Sequence, residues 1–128
     1  MKEEPLETLQ SVCTREDILA LQKQAKEIYI HPVLLDYMID LVQATSSWPN
    51  IDMGVSPRGS LALVRAVRAY ALVRGGAYVV PEDIKTVAVP VLAHRLQLSG
   101  SVGSTDAQKK AMTDVLSSVA LPTEDWSK

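Results

Sequence analysis

The chain has 128 residues, of which 47 % are hydrophobic and 22 % charged, a composition that predicts one globular domain and excludes a mainly disordered protein. Its 13 basic and 15 acidic residues give a net charge of −2, which excludes an overall field for holding nucleic acid or an anionic membrane. The lack of phenylalanine and the many leucine, valine and alanine residues favour packed helices over a sheet sandwich.

The N-terminal segment, residues 1–13, has a mixed composition without the apolar core of a signal peptide. No apolar run along the chain reaches the roughly 18 residues of a membrane span, so we expect a cytoplasmic protein without membrane insertion. Cys13 is the single cysteine, which excludes an internal disulfide and a cysteine-cluster zinc site. We expect its side chain to be buried.

Two helices are predicted in the first part of the chain. Thr14 is a typical helix cap with Asp17 at the capping-box position, and apolar residues follow at helical spacing to about Glu27. His31-Pro32 then begins a second helix that continues to about Thr45. Its predicted buried side chains are Leu34, Leu35, Met38, Leu41 and Val42.

Two short β-prone runs, 28–30 and 78–80, each lie just before a helix, and they could pair as a minimal ribbon. Residues 46–55, between the second and third helices, have the composition of a loop. Trp48 in this loop could cover the core or a nucleotide, and a tryptophan in such a connection more often covers the core.

The longest apolar run, residues 61–74, belongs to the third predicted helix. Ser56 is a typical N-cap, and Pro57 suits the first helical position because its missing N–H has no partner there. Gly75-Gly76 marks the end, so the helix should run from Pro57 to Arg74 and lie near the centre of the fold. Its predicted buried arc contains Leu63, Val64, Ala66, Val67, Tyr70 and Ala71.

Arg58 is a cation in the first turn of this helix, where the macrodipole and the free backbone N–H groups favour an anion. Arg65 and Arg68 continue a basic stripe, with Leu61 close beside it. A phosphate in front of the helix would bind both the N–H groups and the guanidinium. The other interpretation is a solvated arginine whose stem covers apolar neighbours, and helix geometry alone leaves both open.

The fourth predicted helix begins at Pro81 with two acidic residues in its first turn but no side-chain cap at Val80. Pro90 is predicted to end or kink this helix, because proline lacks a backbone donor. A short helix should then run from Val91 to about Arg95.

The C-terminal part is predicted to contain one more helix. Residues 99–104 have the composition of a flexible linker. Thr105 is predicted to cap a helix that continues to about Val119. The C-terminal region that contains this helix, residues 105–122, should pack on the other helices. The tail, 123–128, is expected to fray.

Catalytic motifs are absent from the sequence. It contains no Gly-x-x-x-x-Gly-Lys-Ser/Thr phosphate loop, no apolar strand followed by an Asp-Glu pair, and no serine or cysteine in a nucleophile setting. His31 and His94 lack a second histidine or cysteine at ligand spacing, so we predict no metal site and assign both to structural roles. The chain alone is predicted not to be an enzyme and to bind no cofactor.

Three ordered segments are specific: Gly54-x-Ser-Pro-Arg58 with the Leu61-Ala-Leu-Val-Arg-Ala66 run that follows it, Tyr78-Val-x-Pro-Glu-Asp-Ile84, and Pro90-Val-Leu-Ala-His-Arg-Leu96. Together they resemble the C-terminal lid of the MoxR-type AAA+ ATPases, over roughly residues 5–98 with a looser tail. The resemblance implies an all-α fold, a small bundle of four to five helices with at most two very short strands.

The resemblance also implies a domain organisation. Residues 14–98 would form the lid, and residues 1–13 would be the linker from an ATPase core. We therefore expect the chain to be a fragment of a larger ATPase. Val80 departs from the family, in which a serine or threonine commonly stands at this position.

The same resemblance implies a site and partners. Arg58 matches the sensor 2 arginine, which reaches the nucleotide phosphates in the intact ATPase, and Ser56, Pro57 and Leu61 would lie at the nucleotide with it. ATP and magnesium would be bound by the parent protein. Its partners would be its own ATPase core, neighbouring subunits of a ring, and a von Willebrand factor A-domain protein, with chaperone-like remodelling of protein complexes as the function.

Two alternatives come from the residues themselves. A stand-alone interaction module would use the arginine stripe and the helix before it to bind an acidic partner. A helix-turn-helix DNA reader would need several exposed polar residues on the Ser-Pro-Arg helix, and its apolar run 61–73 argues against that class. Sequence upstream of the first residue would distinguish the lid from the module.

Overall fold

A computed structural model describes residues 8–100 and 104–128. The α-helices are α1 (Arg15–Lys26), α2 (Pro32–Ser46), α3 (Pro57–Val73), α4 (Pro81–Leu92) and α5 (Thr105–Ser118). The strands β1 (Ile51–Met53) and β2 (Gln97–Leu98) pair antiparallel, and a 3₁₀ turn, Ala93–Arg95, connects α4 to β2. The predicted all-α bundle with very short strands is confirmed.

Helix α1 begins with the predicted capping box. The Thr14 hydroxyl accepts from the backbone N–H of Asp17 at 3.1 Å, and the Asp17 carboxylate accepts from that of Thr14 at 2.9 Å. At α5 the cap lies one residue earlier than predicted, because Ser104 Oγ, not that of Thr105, accepts from Ala107 N at 3.0 Å. Half of the predicted linker before it, residues 101–103, lies outside the described part of the chain.

Helix α3 also has the predicted ends. Ser56 Oγ accepts from Gly59 N at 3.3 Å, and Pro57 is the first helical residue. At the other end Gly75 takes a positive φ of 86°, and the N–H groups of Gly75 and Gly76 donate to Leu72 and Ala71 at 3.0 and 2.9 Å. This is a Schellman motif, which satisfies the last carbonyls of the helix and stops it.

The core lies between α3 and the surrounding helices α2, α4 and α5. Helix α3 buries Gly59, Leu63, Val67 and Ala71, one residue per turn, so it is central as predicted. The largest fully buried apolar side chains of the described residues are Leu34, Leu41, Leu63, Val67, Val79, Ile84, Leu92, Met112 and Val115.

Three burial predictions were wrong. Leu35 is 36 % and Tyr70 37 % exposed, because the buried strip on each helix is narrower than the apolar sequence pattern suggests. On α2 the strip continues instead through Tyr37 and Thr45. Cys13 is exposed, since it lies before α1 and no helix covers it.

The predicted end of the helix at Pro90 was also wrong, whereas the alternative prediction of a kink stays a prediction. Helix α4 continues through Pro90 to Leu92 and passes into the 3₁₀ turn, so no separate helix begins at Val91. The missing N–H of Pro90 leaves the carbonyl of Thr86 without its helical donor, and both residues are exposed, where water can serve that carbonyl. The helix therefore continues through this proline.

The β-prone runs pair only once. Tyr29 and Tyr78 form an isolated parallel bridge in which Val79 N donates to the Tyr29 carbonyl at 2.9 Å. The two strands of the sheet lie elsewhere, in β1 and β2, which the sequence did not predict. Ser99 extends that ladder, because its N–H donates to the Asn50 carbonyl at 2.9 Å.

The end of α3 is joined to the start of α4 by an ion pair between a partly exposed arginine and a buried carboxylate. Arg74 Nε and Nη2 donate to the two carboxylate oxygens of Asp83 at 2.6 and 2.8 Å, and Asp83 is 1 % exposed. This bond raises the pKa of the Arg74 guanidinium. Asp83 also accepts from Val80 N at 2.9 Å, which compensates for the missing side-chain cap at that residue.

The C-terminal tail is anchored by one side chain. Trp126 is half-buried against the core, and its ring meets that of His31 edge-on with centroids 5.7 Å apart. The prediction that the whole segment 123–128 frays was therefore wrong for Trp126. No helix in the described ranges has both the length and the apolarity of a membrane span.

Replacing Tyr37 by phenylalanine should stabilise the fold. The Tyr37 hydroxyl is buried without a hydrogen-bond partner in the described residues, and burial raises the pKa of this phenol. Removing it takes away a desolvated polar group and should gain about 1 kcal/mol in the free energy of unfolding. The pKa of Tyr37 is higher in the folded than in the unfolded protein. The contribution of its neutral phenol to stability is therefore fully present below about pH 10 and is lost as the pH rises further.

Thermal unfolding at neutral pH and above pH 10 measures this difference. Tyr37→Phe should raise the melting temperature and flatten its fall at alkaline pH, whereas Tyr29→Phe, at an exposed tyrosine, should do neither. A lower melting temperature for Tyr37→Phe would mean that the hydroxyl has a partner, such as a buried water.

Candidate functional site

The candidate site is the N-terminal end of α3. Arg58, its second residue, is exposed, and within residues 8–100 and 104–128 its guanidinium makes no ion pair or side-chain hydrogen bond. No acidic residue lies in the first turn of this helix. The guanidinium is therefore free to bind an external anion, and it lies where a fixed negative charge would normally be found.

Few backbone donors are open at this helix start. Pro57 has no N–H, Gly59 N donates to Ser56 Oγ at 3.3 Å, and Ser60 N donates to the Ser56 carbonyl at 3.1 Å. Within the described structure this leaves one first-turn N–H without a protein partner, that of Arg58. An anion in front of α3 would depend mainly on the guanidinium, and less on the N–H groups than the sequence suggested.

An apolar groove of about 520 Å³ lies beside this end of α3, between α2 and α3. Pro57 and Leu61, two of the four predicted nucleotide-binding residues, line it. Leu61 is 58 % and Ile39, on the α2 wall, 52 % exposed, so the groove opens to solvent. Its other lining residues are Val42, Gln43, Val55, Ser60 and Val64.

The four predicted site residues therefore have different surroundings. Pro57 and Leu61 share the groove and Arg58 lies next to it in the chain, whereas the Ser56 hydroxyl is used in capping α3. Ile39 was missed as a lining residue. The sequence did contain an indication of Ile39, because it is an apolar residue on the polar face of α2, next to Asp40.

Two glycines fix the position of this helix start by close packing. A Cβ at Gly54 would lie 2.6 Å from Thr45 Oγ1 and 2.7 Å from the backbone nitrogen of Ser46, at the end of α2. A Cβ at Gly59 would lie 2.5 Å from Val55 Cγ1 and 3.1 Å from Arg95 Cδ. The Ser-Pro-Arg and His-Arg-Leu segments are thus in direct contact through Gly59 and Arg95.

Replacing Gly54 by alanine should destabilise the fold by about 2 kcal/mol, because the new methyl group meets backbone that cannot move aside. Gly59→Ala is the matched control. Its methyl group meets only side chains, and alanine improves the helix by up to about 1 kcal/mol, so it should cost clearly less. Urea unfolding of both variants measures the order, and an equal or larger loss at Gly59 would contradict it.

The three arginines of the stripe separate into different roles. Arg68 is half-buried and its Nε donates to the carbonyl of Ile28 at 3.1 Å, which connects α3 to the segment after α1. Arg65 is exposed and faces a groove formed with α1. Arg58 therefore stands apart from the other two, at the helix start.

The remaining candidates have structural surroundings. His31 Nδ1 accepts from Val33 N at 3.0 Å and so caps α2. His94 is exposed in the 3₁₀ turn, and Trp48 is half-buried against the core. The described residues contain no group of three or more His, Cys, Asp or Glu side chains placed to hold a metal ion.

The fold and the site define a small helical lid with a free cation at a helix start. A family model for the AAA lid domain matches residues 43–116, from the last turn of α2 through most of α5. The chain belongs to this AAA lid domain family, and its relatives place it with the lids of MoxR-type AAA+ ATPases.

Among similar curated proteins is the uncharacterized protein YeaC of Bacillus subtilis, 36 % identical over 96 % of this chain and 39 % of its own length. Chaperone MoxR1 of Mycobacterium tuberculosis is 37 % identical over 83 % of this chain and 31 % of its own length. The chain therefore spans less than two fifths of the length of these two relatives.

A solved structure supports the same fold. It is described as a "putative ATPase" from Cytophaga hutchinsonii, with a TM-score of 0.75 and 27 % sequence identity. The similarity covers 89 % of this chain and 38 % of that one.

Proposed function

We propose that this lid supplies Arg58 to the phosphates of ATP bound by the core of a parent AAA+ ATPase, as its sensor 2 residue. One observation carries the proposal: an exposed guanidinium without a protein partner lies in the first turn of a central helix that has no acidic residue there. Such a cation is unfavourable in the free lid and becomes favourable when a phosphate is present.

Two features support a nucleotide as the ligand. The groove lined by Pro57 and Leu61 offers an apolar surface for a base, and Arg58, the neighbour of Pro57 in the chain, offers a free guanidinium for phosphates. The helix start has no carboxylate ligand for magnesium, so the cation would be held by other parts of the parent protein. The lid's own contribution to the phosphates is positive charge.

Bound ATP supplies the phosphoryl group, and this chain's residues would hold and orient charge around it. The Arg58 guanidinium would donate hydrogen bonds to phosphate oxygens on which negative charge develops. Ser56 and Pro57 determine where the helix begins, and the close contacts of Gly54 and Gly59 hold that start against α2 and Arg95. A rigid lid could then close over the nucleotide as one body.

The partners follow from the same proposal. The lid would contact its own ATPase core and, in a ring, neighbouring subunits, and its motion would drive chaperone-like remodelling of protein complexes. MoxR1, a relative, is named a chaperone. A von Willebrand factor A-domain partner stays a prediction of the resemblance, and a cytoplasmic location stays a prediction from the sequence composition.

ATP turnover of the full-length protein carrying Arg58→Ala tests the proposal. The isolated lid is expected to hydrolyse no ATP, since phosphoryl transfer needs a phosphate cradle and a metal site in addition to one arginine.

A further inference from the structure

Helix α1 is well formed but buries none of its residues. Its capping box is complete, yet Ile18 is 44 % and Leu21 48 % exposed, and Val73 opposite them on α3 is 83 % exposed. Most of a helix's stability in a protein comes from burying its apolar face, so this face is built to be covered by something else.

The uncovered face borders a continuous groove between α1 and α3. One part, of about 520 Å³, is apolar and is lined by Ile18, Leu21, Leu72 and Val73. The next part, of about 510 Å³, is basic and is lined by Lys26, Arg65 and Arg68. The residues common to both parts are Gln22, Ala25 and Ala69, so the two parts lie next to each other along α1 and α3.

The charge along this groove is one-sided. No Asp or Glu is among the residues that line either part. Lys26 and Arg65 are exposed and form no ion pair within the described ranges, whereas Arg68 is partly occupied by the carbonyl of Ile28. The basic end of the groove therefore has two cations without an ion-pair partner, Lys26 and Arg65, next to the small side chains of Ala25 and Ala69.

We propose that the α1–α3 groove binds an acidic amphipathic segment of a partner protein. Its apolar side chains would cover Ile18, Leu21 and Val73, and its carboxylates would pair with Lys26 and Arg65. From Ile18 to Lys26 the groove follows α1 for about 12 Å, the length of two turns of a bound helix. A small anion would leave the apolar end uncovered, and a nucleic acid backbone would find cations at one end only.

The groove is separate from the proposed nucleotide site. It is lined by other residues of α3, the later ones from Arg65 to Val73, and by α1 in place of α2. Partner binding here and phosphate binding at Arg58 can therefore succeed or fail independently.

The test uses a designed probe and the 128-residue chain. The probe is a fluorescein-labelled helical peptide with two leucines one turn apart and two glutamates about two turns further along. Anisotropy titration should show saturable binding that weakens about tenfold when the glutamates are replaced by glutamines, and about tenfold when the leucines are replaced by serines. Equal binding of all three peptides, or no binding of the first, would overturn the proposal.

Protein variants then locate the binding. Arg65→Glu should weaken the parent peptide about tenfold or more, because it converts attraction into repulsion at the basic end. Lys109→Glu makes the same charge change at an exposed lysine of α5 and should alter the affinity less than twofold, as should Arg58→Ala. Equal losses in Arg65→Glu and Lys109→Glu would show a non-specific charge effect and refute the assignment.

Two further measurements exclude other occupants. Amide chemical-shift changes on adding the peptide should map to α1 and the later half of α3, and a map centred elsewhere would overturn the proposal. Sedimentation equilibrium of the chain alone should show a monomer. Self-association that Arg65→Glu abolishes would show that a second copy fills the groove instead.

Discussion

Arg58→Ala in the full-length ATPase should lower ATP turnover about 10²-fold, equivalent to about 3 kcal/mol of transition-state stabilisation. The expected loss is large because a guanidinium aimed at developing phosphate charge acts mainly in the transition state. The variant should keep a folded lid, since the Arg58 side chain is exposed and makes no contact with another charged group in the described residues.

Two variants serve as controls for Arg58. Arg58→Lys should rescue little, because a point charge does not reproduce the planar guanidinium fork. Arg65→Ala changes another exposed arginine of the same helix, one that faces the α1–α3 groove, and it should leave turnover near normal. Steady-state ATPase assays, with melting curves for each variant, make the comparison.

The outcome separates the two interpretations of Arg58. Near-normal turnover in Arg58→Ala, or an equal loss in Arg65→Ala, would refute the sensor 2 assignment. The arginine would then be a solvated side chain covering its neighbours.

Val67→Asp should unfold the domain. Val67 is fully buried on the central strip of α3, between Leu63 and Ala71, and a carboxylate there would have no partner. The cost of burying an unpaired ionisable group together with the lost packing is about 4 kcal/mol or more, comparable with the whole stability of a small domain.

Val73→Asp is the matched control, because Val73 lies on the same helix and is 83 % exposed. Its melting temperature should stay within a few degrees of the wild-type value. Circular dichroism of both variants measures this difference, and a folded Val67→Asp with a normal melting temperature would mean that this residue does not lie in the core.

Local chemistry in the sequence was sufficient for helix positions. The Thr14–Asp17 capping box, Ser56-Pro57 and Gly75 each act within a few residues, so the starts of α1 and α3 and the end of α3 were predicted. Pro90 shows the limit of such reasoning, because whether a proline ends a helix depends on where the freed carbonyl lies. Here that carbonyl belongs to an exposed residue.

Part of the candidate site was also predictable. The placement of Arg58 in a first helical turn followed from Ser56 and Pro57, and the family followed from three ordered segments. The apolar groove with Ile39 could not be predicted, because it depends on atoms brought together from α2 and α3.

The sequence by itself determined the all-α class, the limits of the central helix and the position of its first-turn arginine, since caps, glycines and periodicity act over one or two turns. Only the tertiary structure decided that Gly54 and Gly59 are needed for close packing, that Arg74 pairs with Asp83 between α3 and α4, and that α1 buries none of its residues. Those features depend on contacts between residues distant in the chain or on what packs over a face, and periodicity within one helix carries no information about its neighbours.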